Sequence, residues 1–105
     1  MAVIKYHKLV RDRIPEIIEA QGKTCLCATL DDVEYLRMLD EKLNEELAEY
    51  QADKSLEELA DLLEVIRAVA AARGSSIEAV EDIRRQKAAK RGAFEKKLLL
   101  KEVRG

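Results

Sequence analysis

Four carboxylates have the types and the spacing to do chemistry in this chain. Glu46, Glu49, Glu58 and Asp61 form two i,i+3 pairs mirrored about the polar stretch Gln51-Ala-Asp-Lys-Ser55, which interrupts an otherwise helical region. Residues three apart share a helix face. If the polar stretch is the tip of an antiparallel hairpin, Glu49 mirrors Glu58, Glu46 mirrors Asp61, and all four converge. Such a cluster repels itself unless a cation sits within it. All-oxygen ligation from carboxylates favours a hard divalent ion, Mg2+ or Mn2+.

The helices that must position these acids sharpen the expectation. At roughly 100° per residue, Leu36, Leu39, Leu43, Leu47 and Tyr50 make one apolar stripe, and Glu46 falls within about 20° of Leu39, inside it. On the next helix, Leu56, Leu59, Leu62, Leu63, Ile66, Val69 and Ala70 form the expected buried arc. Glu58 lies between the directions of Val65 and Val69, and Asp61 just beyond the edge. A buried carboxylate without a partner is costly, so a partner is implied. Plainer roles exist for single members. Ser55-x-x-Glu58 is a capping box, and Glu45 or Glu49 can be solvated helix charges in a chain that is 38% charged.

Punctuation along the chain gives the remaining elements. An extended N-terminal segment leads to a short helix that begins at Pro15 and ends near Gly22, with Pro and Gly in their usual end positions. Residues 24–28 read as a short extended piece, after which Asp31 or Asp32 caps a long helix to about Ala52. A third helix spans 56–73 and stops at Gly74; Ser75-x-x-Glu78 caps a fourth, which ends near Gly92. The tail, 94–103, is apolar enough to pack as an extended arm or short strand. The expected fold class is all-α: a hairpin-based bundle of about four helices with short extended segments at the termini, forming one domain over 1–105 and completed by a symmetric oligomer.

Composition excludes several classes. At 105 residues and 48% hydrophobic, with four Gly and one Pro, the chain is expected to be a compact domain with a modest core. A net charge of −2 supplies no basic field to hold nucleic acid. No apolar run approaches the ~20 residues of a membrane span, and the N-terminus lacks a signal-peptide arrangement, so a cytoplasmic protein is expected. Cys25 and Cys27 would point to opposite faces of an extended segment and have no second pair to complete a zinc site. Neither is assigned a role, and His7 reads as an ordinary polar residue.

Two basic clusters flank the acids in sequence. One is Lys8-Leu-Val-Arg11-Asp-Arg13; the other places Lys87, Lys90 and Arg91 on one helix face near a C-terminus, where they also complement the helix dipole. A carboxylate-bound divalent ion together with Lys and Arg is what a triphosphate needs.

Glu45-Glu46-x-x-Glu49 followed by Glu58-x-x-Asp61 resembles the EExxE…ExxD signature of the all-alpha NTP pyrophosphatase superfamily, which includes MazG-like nucleotide pyrophosphohydrolases and phosphoribosyl-ATP pyrophosphohydrolases. The segments Lys8-Leu-Val-Arg-Asp-Arg-Ile-Pro-Glu-Ile-Ile18 and Lys90-Arg-Gly-Ala-Phe94 look like the ends of short members of this group. The resemblance implies Mg2+-dependent hydrolysis of a nucleoside triphosphate between the alpha and beta phosphates, a house-cleaning activity toward noncanonical or surplus nucleotides. It further implies Glu46, Glu49, Glu58 and Asp61 as metal ligands, Glu45 as a residue that orients or deprotonates water, and Lys8, Arg11, Lys87, Lys90 and Arg91 as phosphate contacts. Two alternatives stand beside it: phosphoribosyl-ATP pyrophosphohydrolase of histidine biosynthesis, and a non-catalytic metal- or nucleotide-binding helical dimerisation module. The chain departs from the pattern in two places: only eight residues separate Glu49 from Glu58, and Gly-Ala-Phe stands where Gly-Gly-Phe is common. Tyr6, Tyr35, Tyr50 and Phe94 are the aromatic residues available to stack on a base.

Overall fold

Local capping chemistry sets the helix ends. The structure, a computed structural model, describes residues 2–105 and has four helices, α1 Ile14–Ala20, α2 Asp32–Asp53, α3 Leu56–Ala72 and α4 Ile77–Arg91. The Glu34 N–H donates to the Asp31 carboxylate at 2.8 Å and the Glu58 N–H to the Ser55 hydroxyl at 3.2 Å, so Asp31 and Ser55 cap α2 and α3. Glycine at φ +79° (Gly22) and +81° (Gly74) ends α1 and α3 in left-handed turns, a conformation that costs a side chain but not glycine.

Two boundaries differ from the sequence expectation. The cap of α4 is Ser76, not Ser75, and the Ala79 N–H donates to its hydroxyl at 3.1 Å. Ser75 is already committed: its N–H closes the end of α3 onto the Ala70 carbonyl at 2.9 Å, leaving the next residue extended and free to cap. The hairpin tip is also tighter than the expected 51–55 stretch. α2 continues to Asp53, and only Lys54 and Ser55 lie between the helices, with Lys54 left-handed (φ 57°) and its N–H donating to the Tyr50 carbonyl at 2.7 Å. A two-residue connection forces α2 and α3 to lie antiparallel, which brings the mirrored acids to the same level.

The packing is thinner than composition suggests. Among the described residues the buried hydrophobic side chains are Leu39, Val65 and Ala70. Leu36, Leu43 and Tyr50 of the expected stripe are half-buried and Leu47 is exposed. The arc expected on α3 splits: Leu62, Ile66 and Val69 are half-buried against the hairpin, whereas Leu56, Leu59 and Leu63 face outward, with Leu56 83% exposed. Among the described residues α4 packs on α3 and on no other helix. The extended piece at 24–28 joins no sheet, and the tail, expected to pack as an arm or short strand, is exposed throughout 94–105.

The result is an elongated chain, 68 × 31 × 23 Å, instead of the compact domain expected. Its radius of gyration is 18.7 Å, against ~13 Å for a globular domain of this length. It presents 9800 Å² to solvent, where a folded monomer of 11.9 kDa exposes about 5,900 Å². Among the described residues no helix is long and apolar enough to cross a membrane.

Candidate metal centre

α2 and α3 carry the mirrored acids to the seam between them, where one oxygen from each of Glu46, Glu58 and Asp61 lies within 4.8 Å of the other two. Glu46 is the deepest, with 7% of its surface exposed. Its Oε1 faces Lys42 Nζ at 3.5 Å, while Oε2 is shut off from solvent and has no hydrogen-bond partner. Glu58 Oε2 is likewise buried and unpartnered. The capping role does not explain it: Ser55 caps the Glu58 N–H, but among the described residues the Glu58 carboxylate makes no return bond to Ser55. Asp61 is half-buried and its Oδ1 accepts from Arg11 Nη2 at 2.7 Å.

The electrostatics follow from this crowding. Burial, reinforced by the neighbouring Glu49 and opposed by Lys42, holds the Glu46 carboxyl above the ordinary glutamate value. Burial also raises Glu58, with the charges of Glu49, Asp61 and Asp53 adding to it. Glu45 behaves oppositely. Burial pushes its carboxyl up, but the Lys8 hydrogen bond at 3.2 Å and the charge of Lys42 outweigh that and hold it below the usual range. Two buried, unpartnered oxygens among like charges are an arrangement that a bound cation stabilises and an empty apolar core would not. The donor set is all carboxylate, which fits Mg2+ or Mn2+.

The other residues singled out from the sequence divide into two groups. Glu49 is exposed at the rim of the triad, close enough to raise both Glu46 and Glu58. The N-terminal segment crosses the hairpin and brings Lys8 to Glu45 and Arg11 to Asp61. Lys87, Lys90 and Arg91 occupy the last part of α4, are exposed, and pair with none of these acids. Of the four aromatics, Tyr35 lines a cavity of about 400 Å³ between the N-terminal segment and the hairpin, whose wall also includes Glu46 and Asp61. Phe94 is almost wholly exposed.

Lys42 is a component that the motif reading passed over. It stands three and four residues before Glu45 and Glu46 and pairs with both. The signal was present in the i,i+3 and i,i+4 spacing of opposite charges. The thiols of Cys25 and Cys27 are free.

Over 45 residues the chain is 58% identical to an uncharacterized protein of Mycolicibacterium smegmatis. That match covers 43% of this chain and 46% of the relative, so the chain spans about half the length of the relative it matches. No family model matches the chain, and no solved structure matches it.

Proposed function

We propose that the chain is a Mg2+- or Mn2+-dependent nucleoside triphosphate pyrophosphohydrolase, cleaving between the alpha and beta phosphates to a nucleoside monophosphate and pyrophosphate. The observation that carries the proposal is Glu46 Oε2, a carboxylate oxygen buried without a partner and placed among the oxygens of Glu58 and Asp61. Glu46, Glu58 and Asp61 would hold the ion, with Glu49 at the rim as the fourth carboxylate. When bound there, a divalent ion supplies Lewis acidity toward a phosphoryl group and lowers the pKa of coordinated water.

The chain's own side chains have separable roles. Glu45, kept ionised between Lys8 and Lys42, is a weak base, better suited to orienting a donor than to removing a proton. Arg11 brings a planar guanidinium to the edge of the acids, the group best matched to phosphate oxygens. Tyr35 and the apolar wall of the adjoining cavity offer a surface for a base.

A symmetric oligomer belongs to the same proposal. Leu56, Leu59, Leu63 and Ile83 expose apolar surface on a chain whose accessible area exceeds that of a folded monomer by more than half. A second copy laid against α3 and α4 would cover it. The experiment that tests the function is pyrophosphate release with Mg2+, and with EDTA, across common NTPs, modified NTPs and phosphoribosyl-ATP. Metal-dependent release from at least one triphosphate is expected; no release from any of them sinks the proposal.

A further inference from the structure

Lys42 has no complete set of partners once the acids are assigned. Its side chain is 20% exposed, while Lys8 and Arg11 keep 55% and 57% of theirs in solvent. Its ammonium reaches Glu45 Oε1 at 3.4 Å and Glu46 Oε1 at 3.5 Å, both longer than the ~2.7–2.9 Å of a good charge-assisted bond. Glu45 Oε1 is also shared with Lys8, at 3.2 Å. An ammonium has three donors, and one held by two long carboxylate contacts keeps donor capacity for a ligand.

That capacity is available on the cavity side. Lys42 and Arg11 are the cations of the cavity wall, and the acids Glu46 and Asp61 stand in the same wall. Asp12 and Glu64 complete its charges, so acids outnumber cations there. A bare anion is repelled by that balance. An anion that arrives on a divalent ion is not, because the ion neutralises the acids and leaves the outer oxygens to Lys42 and Arg11.

We propose that Lys42 is a phosphate-binding residue, gripping together with Arg11 the polyphosphate of a metal-bound substrate, in place of the Lys87, Lys90 and Arg91 cluster on α4. This rests on the metal-dependent hydrolase proposed above. It adds the residue that reads the substrate's phosphates and an order of events, metal before polyphosphate.

Inorganic tripolyphosphate is the probe, with binding measured by calorimetry at saturating Mn2+ and Mn2+ binding measured separately by electron paramagnetic resonance. The wild type should bind tripolyphosphate with Mn2+ and not in EDTA. Lys42→Met should weaken that binding by about tenfold or more, the scale of losing a charge-assisted phosphate contact. Its Mn2+ affinity should be unchanged or higher, since a cation has been removed from beside a cation site. Lys42→Arg should keep most of the tripolyphosphate affinity and Lys87→Met all of it. In the unmutated protein, Mn2+ with tripolyphosphate should slow acetylation of Lys42 by an amine-reactive ester but not that of Lys87, a test that needs no variant to fold. The inference is overturned if Lys42→Met binds tripolyphosphate as the wild type does, if it loses Mn2+ and tripolyphosphate in parallel, or if Lys42 is not protected. A wild type that binds Mn2+ but no tripolyphosphate also overturns it while leaving the metal site standing. A wild type that binds no Mn2+ removes the hydrolase proposal as well.

Discussion

Glu46→Gln should change stability in opposite directions with and without divalent metal. Without metal, the wild type holds an ionised oxygen that burial and Glu49 both disfavour. An amide of the same shape removes the charge but leaves a polar atom in the same place, so in EDTA the variant should be more stable by about 1 kcal/mol, the extra desolvation that a charged group carries over a neutral one. Unfolding entropy of ~2.1 cal/mol/K per residue over this chain makes 1 kcal/mol worth roughly 4–5 °C in Tm. With Mg2+ at about 100 times its Kd, the wild type gains ~2.7 kcal/mol, or about 12 °C. If losing the ligand weakens binding about a hundredfold, the same Mg2+ gives the variant only ~0.4 kcal/mol, or about 2 °C. Differential scanning calorimetry at one protein concentration, with EDTA and with an Mg2+ titration, measures both effects. Equal Mg2+ shifts in wild type and variant would refute the ligand role of Glu46. A variant less stable in EDTA would mean that the Lys42 ion pair to Glu46 Oε1 outweighs the cost of burying Oε2.

Asp61→Asn should lower turnover by about 10² or more, and Glu49→Gln, at the rim, by less; steady-state pyrophosphate release ranks them, with the exposed Lys97→Ala unchanged as the control. The raised carboxyls of Glu46 and Glu58 should make the metal-free protein lose stability as pH rises from near 4.5 through their folded-state values. Their contribution is complete below the unfolded value and lost above the folded one. Glu45 has the opposite sign, so the test is the difference in Tm between wild type and Glu46→Gln, which should widen across that window and would count against the argument if it stayed flat. Lys54→Gly at the left-handed hairpin residue should stabilise by about 1 kcal/mol in thermal melts, and a loss of stability would mean that the Lys54 side chain matters more than its backbone. Light scattering at micromolar concentration should give at least a dimer, and Leu63→Lys should shift the mass toward the monomer; a monomeric wild type rules out the oligomer.

Local chemistry was legible in the sequence because it is decided within a few residues. Ser55 as a cap, an aspartate cap at 31 or 32 that the structure places at Asp31, Gly22 and Gly74 as stops, and the i,i+3 spacing of the acids all act over one helical turn. The choice of Ser76 over Ser75 was not, because it depends on where the Ser75 N–H is spent when α3 closes. Angular position on α2 put Glu46 in the buried stripe correctly, since that stripe meets a hairpin partner set by a short connection. The same reasoning overestimated the burial of Leu47, Leu56, Leu59 and Leu63, because periodicity marks apolar faces without saying what lies against them. Lys42 reaches Glu45 and Glu46 through local helix spacing, but only the tertiary structure decided which distant cations reach the acids. Lys8 and Arg11, far away in sequence, arrive when the N-terminal segment crosses the hairpin, whereas the α4 cluster pairs with none of them. Charge type is written in the chain, but which charges meet is a long-range consequence of packing, and that packing joins Lys42, Arg11 and the buried oxygens of Glu46 and Glu58 into one candidate site.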